Sequence, residues 1–304
     1  MYKTGNYTDT DRMCDLITEN YPMLLVLSRF GIALGFGDKN IREVCRGNGV
    51  DTATFLAVVN ILAGSKDDYN IKKTISVESL IRYLQHSHSY FLDYRLPAIR
   101  AKLIQAIKSV DKNVSAVIIR FFDEYTADVS RHMRDEEKTL FPNLKKMLAG
   151  EGYNASVFSR QHNHLEKNIA ELKNIIIKYC NTPSSNDLNS VLFDIFLFEQ
   201  DLASHILVED RLILSLTRKT APPHPAPKPK HAHEQLTQRE KEVVVCVVKG
   251  MTNKQIADEL FLSPHTVLTH RKNIAAKLQI HSPAGLTIYA IVNKLVELEE
   301  IKAV

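Results

Sequence analysis

Three histidines in this chain are each followed four residues later by a glutamate: His132 with Glu136, His162 with Glu166, and His205 with Glu209. On a helix, positions i and i+4 share a face, so each pair would offer an imidazole nitrogen and a carboxylate oxygen to the same volume. Those donors suit iron, and manganese or zinc would fit the same ligand types. A single pair is weak evidence in a chain with 12 His, where chance supplies roughly one. Three pairs within one region carry more weight. The segments from His132 to Pro142 and from His205 to Leu214 also set the pair against an apolar stripe. A buried histidine beside a buried glutamate is costly unless paired or metal-bound. The plainer reading is charged helix faces that carry incidental histidines.

The elements that must position these groups are helical. Apolar periodicity predicts helices over about 77–110, 113–148, 154–181 and 185–217. Breaks fall at Asp111, Lys112, Gly150 and Gly152, and in the turn from Asn181 to Asn186. Four helices with short connections imply an antiparallel bundle, an architecture that builds metal sites from inward side chains. A proline-rich stretch from Thr220 to His233 follows, which cannot be helix and should be stiff and extended. Its histidines read as solvated linker or as metal donors. A second polar boundary runs from Ser65 to Lys73.

The bundle segment resembles the hemerythrin-like (HHE) domain, a four-helix bundle holding a non-haem di-iron centre, about two iron ions per chain. The resemblance implies His132 and His205 as terminal imidazole ligands and Glu136 and Glu209 as carboxylates bridging the irons. His162 matches the third-helix ligand, while His164 lies on another face and is expected to be exposed. On the first helix either His86 or His88 would serve, His88 being nearer the family's usual distance from Leu96 and Pro97. Oxygen-carrying hemerythrins have a second histidine where this chain has Glu166, and they end in His-x-x-x-x-Asp rather than His-x-x-x-Glu. A His-poor, more open site follows, with Glu166 a further possible ligand.

From Leu236 onward the pattern changes. Thr237 and Glu240 have capping-box spacing before a helix with Val243, Val244 and Val247 on one side, and Gly250 stops it. Asn253 to Leu260 reads as a short second helix with Ile256, Ala257 and Leu260 inward. Ser263 and Pro264 then open a third helix to about Leu278, with Val267, Ile274 and Leu278 inward. This is a helix-turn-helix pattern, and the segment resembles the LuxR/FixJ-type DNA-binding domain. Leu268, Thr269 and Lys272 face outward as base-edge candidates in the major groove. Asn253, Lys254, Thr266, His270, Arg271 and Lys277 are placed for phosphates. From Leu260 to Val296 there is no Asp or Glu, which suits a polyanion although the whole chain carries only +4. A fourth helix, from about Ser282 to Leu295, carries Leu286, Tyr289, Ala290 and Val292; it reads as core packing or, by the resemblance, as the helix that pairs two subunits.

The N-terminal part, from Met13 to Leu62, is similar to the small helical domain of iron-centre repair (RIC, ScdA-type) proteins, which carry an adjacent cysteine pair. Here the corresponding residues are Gly35 and Phe36. Cys45 reads more simply as a small buried apolar residue. The four cysteines, Cys14, Cys45, Cys180 and Cys246, form no Cys-x-x-Cys or zinc spacing. No apolar run approaches a membrane span, and the N-terminus lacks a signal-peptide core, so a bacterial cytoplasmic setting is expected.

The expected fold is all-α: a helical N-terminal domain (1–70), a hemerythrin-like bundle (75–218), a proline-rich linker (219–233) and a tetrahelical helix-turn-helix domain (234–304). At 304 residues the chain can bury more than one core. The expected function is a one-component transcriptional regulator rather than an enzyme. It would bind double-stranded DNA as a homodimer and answer to nitric oxide, dioxygen, redox state or iron. The fourth bundle helix, which runs into the linker, is the expected route of the signal. An iron-centre repair or nitric-oxide-handling protein with an appended DNA-binding domain is the alternative.

Overall fold

The computed structural model describes residues 6–65, 75–148, 159–180, 186–217 and 235–296, and among these every regular element is helical. The proline-rich linker and nearly all of the Ser65–Lys73 boundary lie outside the described residues. Among those described, no helix is long and apolar enough to cross a membrane.

Four short helices come first: α1 Met13–Glu19, α2 Met23–Arg29, α3 Ile41–Gly47 and α4 Thr52–Leu62. Asn40 and Glu43 form a reciprocal capping box at the start of α3, and Asp51 caps α4 through the Thr54 N–H. Their apolar residues, among them Met13, Leu27, Ile41, Phe55 and Val58, do not close a core of their own. They belong to one buried cluster with Leu80, Tyr83, Leu84, Leu140, Phe141, Val208 and Leu212 from the long helices that follow.

The first long helix comprises α5 Val77–Ser89, a π-helical turn at Tyr90–Arg95, and α6 Leu96–Ala106. The second comprises α7 Lys112–Asp135, a π-helical turn at Glu136–Leu140, and α8 Phe141–Leu148. The third and fourth are α9 Ser159–Tyr179 and α10 Asn186–Thr217. Periodicity predicts continuous α-helix through both π turns. Each wide turn takes up one residue more than an α turn, a local irregularity that periodicity does not reveal, and such turns are frequent at functional sites.

Two compact units emerge. One comprises Met1–Leu96, Val129–Asn163 and Gln200–Pro222; the other comprises Pro97–Asp128, His164–Glu199 and Pro223–Val304. In the second lie α11 Gln238–Val248, α12 Asn253–Glu259, α13 Pro264–Leu278 and α14 Pro283–Val292. Thr237 and Glu240 make the expected capping box, Thr252 and Gln255 make another, and Ser263 and Ser282 cap helices that open on proline. Gly250 takes a left-handed φ of 77° to end α11. Val243, Val244, Ile256, Ala257, Val267, Ile274, Leu286 and Ala290 form the shared core of these four helices.

Candidate functional site

Five of the histidines and glutamates singled out above converge within the first unit. His88 ends α5, His132 lies in the last turn of α7, Glu136 opens the π turn, and His205 and Glu209 stand one turn apart on α10. All five are at most 4% exposed. They form two groups, His88 with Glu136 and His205, and His132 with Glu136 and Glu209; within each, the ligand atoms lie within 4.8 Å of one another. Glu136 belongs to both. Its Oε1 stands 2.7 Å from His132 Nε2 and its Oε2 stands 3.2 Å from His88 Nε2, so one carboxylate faces two imidazoles on different helices.

Buried groups of this kind are expensive, which makes their surroundings a test of whether cations fit. Neither ring nitrogen of His205 has a hydrogen-bond partner. A buried polar group left so costs about 1–3 kcal/mol. Burial, reinforced by His88 and by the Arg29 charge, holds the His205 imidazolium pKa far below its ordinary value. Neutral imidazole is the form that binds a metal. The donors are imidazole and carboxylate in two sets of three, so the residues fit a pair of divalent cations.

His88 is oriented from behind. Its Nδ1 lies 2.9 Å from Glu137 Oε1; with Nδ1–H donating to that carboxylate, the Nε2 lone pair turns toward Glu136. Phe141 stacks on the His88 ring at 5.6 Å and Phe91 meets His205 edge-on at 5.7 Å, walling one side of the cluster with apolar surface. Glu137 is absent from the sequence-derived set, although it adjoins Glu136. The π turn that starts at Glu136 gives these two carboxylates separate tasks.

The remaining candidates are placed elsewhere. His86 is exposed and its Nδ1 lies 2.6 Å from the Arg29 carbonyl, so of the two first-helix histidines it is His88 that joins the cluster. Glu166 is exposed and belongs to neither group, and His164 is exposed beside Asn168. His162 lies on α9, but its side chain is outside the described residues. At the position of the repair proteins' cysteine pair, Gly35 adopts a φ of 98° and Phe36 packs on the core. Cys45 is fully buried, which pushes its thiol pKa up to about 12.

On α13, Val267 and Ile274 are buried while Leu268, Thr269 and Lys272 are exposed, Leu268 at 53%. Lys254 is exposed, and Thr266 and His270 are half-buried. Lys277, Arg271 and Asn253, all phosphate candidates, are engaged inside the domain. Lys277 Nζ stands 3.0 Å from Glu240 Oε2, and Arg271 Nη1 donates to Asn253 Oδ1 at 3.0 Å, tying α13 to α12. These pairings join residues 37 and 18 positions apart, beyond what helical periodicity reveals. Phe261, in the turn between α12 and α13, is 94% exposed with a left-handed φ of 53°.

Comparison with known proteins agrees with this geometry. Residues 79–217 match the hemerythrin HHE cation binding domain, and residues 234–290 match the luxR family of bacterial regulatory proteins. The transcriptional regulatory protein LiaR of Bacillus subtilis (strain 168) is 44% identical over 64 residues, 21% of this chain and 30% of LiaR. The oxygen regulatory protein NreC of Staphylococcus aureus (strain JH9) is 42% identical over 62 residues, 20% of this chain and 29% of NreC. The response regulatory protein YgeK of Escherichia coli (strain K12) is 54% identical over 48 residues, 16% of this chain and 33% of YgeK. The chain thus spans about a third or less of the curated relatives it matches. The buried histidine and glutamate cluster thus lies within the segment similar to the hemerythrin HHE cation binding domain, and the capped helix-turn-helix within the segment similar to the luxR family of bacterial regulatory proteins.

Proposed function

We propose that this chain is a one-component transcriptional regulator in which a di-iron hemerythrin-like centre sets the activity of a luxR-type DNA-binding domain. The observation that carries the reading is Glu136, whose two carboxylate oxygens face His88 and His132 as a bridge between two cations requires. His88, His205 and Glu136 would hold one ion, and His132, Glu209 and Glu136 the other, with His162 a further donor by its resemblance. Iron bound there supplies chemistry responsive to nitric oxide, dioxygen, redox state or iron supply; manganese or zinc would suit the same donors. Glu137 keeps His88 in its binding tautomer, and Phe91 and Phe141 exclude water from one side. Glu136 and Glu209 sit on the second and fourth long helices, so both helices would be held by any cation bound between these carboxylates.

Leu268, Thr269 and Lys272 would read base edges of double-stranded DNA, with Asn253, Lys254, Thr266, His270, Arg271 and Lys277 on phosphates, in a bacterial cytoplasmic homodimer that acts as a regulator rather than an enzyme. NreC, a relative, is named for oxygen regulation, which agrees with such a signal. The test pairs anaerobic optical spectra with operator binding, before and after nitric oxide or air. Operator affinity should differ by about 5–150-fold between reduced and treated protein, and Glu209→Ala should abolish the difference. Equal affinity in every state of a demonstrably loaded centre would reject the sensor.

A further inference from the structure

Glu171 lies on α9, well away from the sequence positions of the metal cluster, and is 2% exposed. Its carboxylate is engaged by the DNA-binding domain. Oε2 accepts the His281 N–H at 3.0 Å, and Oε1 accepts the Ser282 N–H at 3.1 Å together with the Ser282 hydroxyl. Ser282 is the N-cap of α14, and its Oγ accepts the Gly285 N–H at 2.9 Å. A carboxylate from the bundle therefore completes the start of a helix in the other domain, where backbone N–H groups lack partners and the helix dipole favours negative charge. Gly285 is matched to it: a Cβ there would stand 2.4 Å from Glu171 Oε1 and 2.7 Å from Ile280 Cγ2.

Two more contacts follow along the same face of α9. Lys178 Nζ donates to the Leu278 carbonyl, at the end of α13, at 3.3 Å. The Tyr179 ring meets the Tyr289 ring of α14 edge-on at 6.2 Å. Residues 171, 178 and 179 recur at seven and eight positions, so they share one face over two turns. Throughout, Leu268, Thr269 and Lys272 remain exposed.

We infer that this face of α9 is a docking surface for the chain's own DNA-binding domain, and that Glu171 is the latch that fixes it there. The third bundle helix thus carries a direct link between the bundle and the operator-reading domain. The latch sets the placement of α14 and leaves the reading face of α13 open. Its regulatory use rests on the function proposed above; the contact itself does not.

The test is hydrogen exchange on the full-length protein, read by mass spectrometry. Glu171→Ala should speed exchange in the segment 279–286 by roughly 10–150-fold, the range for losing charge-assisted hydrogen bonds, with α11 and α12 unchanged. Glu171→Gln, which keeps one acceptor and the side-chain volume, should fall between the variant and the parent and covers any folding defect of the alanine variant. Unchanged exchange at 279–286 in both variants would overturn the latch. Operator binding is then compared in reduced and nitric-oxide-treated protein. Loss of the parent's affinity difference in Glu171→Ala supports the regulatory use, and an undiminished difference overturns it. A parent that binds no operator in either state would overturn the proposed function while the exchange result still decides the latch.

Discussion

Replacing Arg29 should loosen the N-terminal helices from the bundle more than any surface substitution could. Arg29 ends α2, and its Nη2 lies 2.6 Å from Asp201 Oδ2 on α10, one turn before His205. The two side chains are 4% and 8% exposed, and the guanidinium sits 5.3 Å from the Tyr90 ring centre and 5.0 Å from that of Phe91. Burial alone would lower the Arg29 pKa, but Asp201 and the neighbouring Tyr83 more than offset it, so Arg29 stays charged. At an effective dielectric of about 20, unit charges about 4 Å apart attract by about 4 kcal/mol. Desolvation costs several kcal/mol per ion, so the intact pair contributes little net stability. Removing one partner is another matter, because the other charge stays buried alone, at about 3–5 kcal/mol. Arg29→Met should therefore destabilise the first unit by about that amount, whereas Arg29→Met with Asp201→Leu should recover most of it. Native-state hydrogen exchange in peptides spanning α2 and residues 200–213 suits the measurement, since a chain with more than one cooperative unit has no single unfolding free energy. Additive losses in the double variant, or a loss below about 1 kcal/mol for Arg29→Met, would refute the reasoning.

Further expectations follow from the two sites. Glu137→Ala should weaken metal binding by about 10–100-fold without removing a ligand, measured by titration with ferrous or cobaltous ion under nitrogen; unaltered affinity would deny Glu137 its orienting role. Thr269→Ala or Lys272→Ala should relax operator preference by about 1–3 kcal/mol per lost base contact, while Lys254→Ala should weaken all sequences alike and reduce the salt slope by about one. Equal specificity and salt dependence in Lys272→Ala would mean that α13 presents a different face. At Glu240, burial raises the carboxyl pKa, but the Thr237 backbone N–H and Lys277 outweigh it and the net shift is downward. Its contribution to helix-turn-helix stability is then fully present above the ordinary carboxylate range and lost as pH falls through the lowered value. The stability gap between the parent and Glu240→Gln should accordingly shrink in acid, and a gap independent of pH would contradict this.

What could be read from the sequence was whatever helical periodicity and local capping encode. His132 with Glu136 and His205 with Glu209 are legible because one helical turn separates each pair, and the Thr237–Glu240 box because its partners are three residues apart. The choice between His86 and His88 turns on two positions of helix phase, which the structure resolves by burying one ring and exposing the other. Nothing local marks Arg29 and Asp201, 172 residues apart, or Glu171 and Ser282, 111 apart. Both rest on partners whose meeting depends on the whole path of the chain. The pairing of Lys277 with Glu240, 37 residues apart, is hidden from periodicity for the same reason.

The π turn at Glu136–Leu140 carries a consequence for how this protein can change over time. A π turn closes i to i+5, so it takes up one residue more than the α turn it replaces while the helix beyond keeps its phase. Deleting one residue within the turn, at Lys138 or Thr139, would therefore let it relax to ordinary geometry with Leu140, Phe141 and Leu144 still buried and His132 still among the ligands. The α-helical stretch before it has no such slack: an α-helix advances about 100° per residue, so a deletion in α7 would rotate everything beyond by about that angle, ligands and core residues alike. The wide turn is the place where this helix can change its length by one residue, and the α-helical turns around it are held to their length more firmly than to their letters.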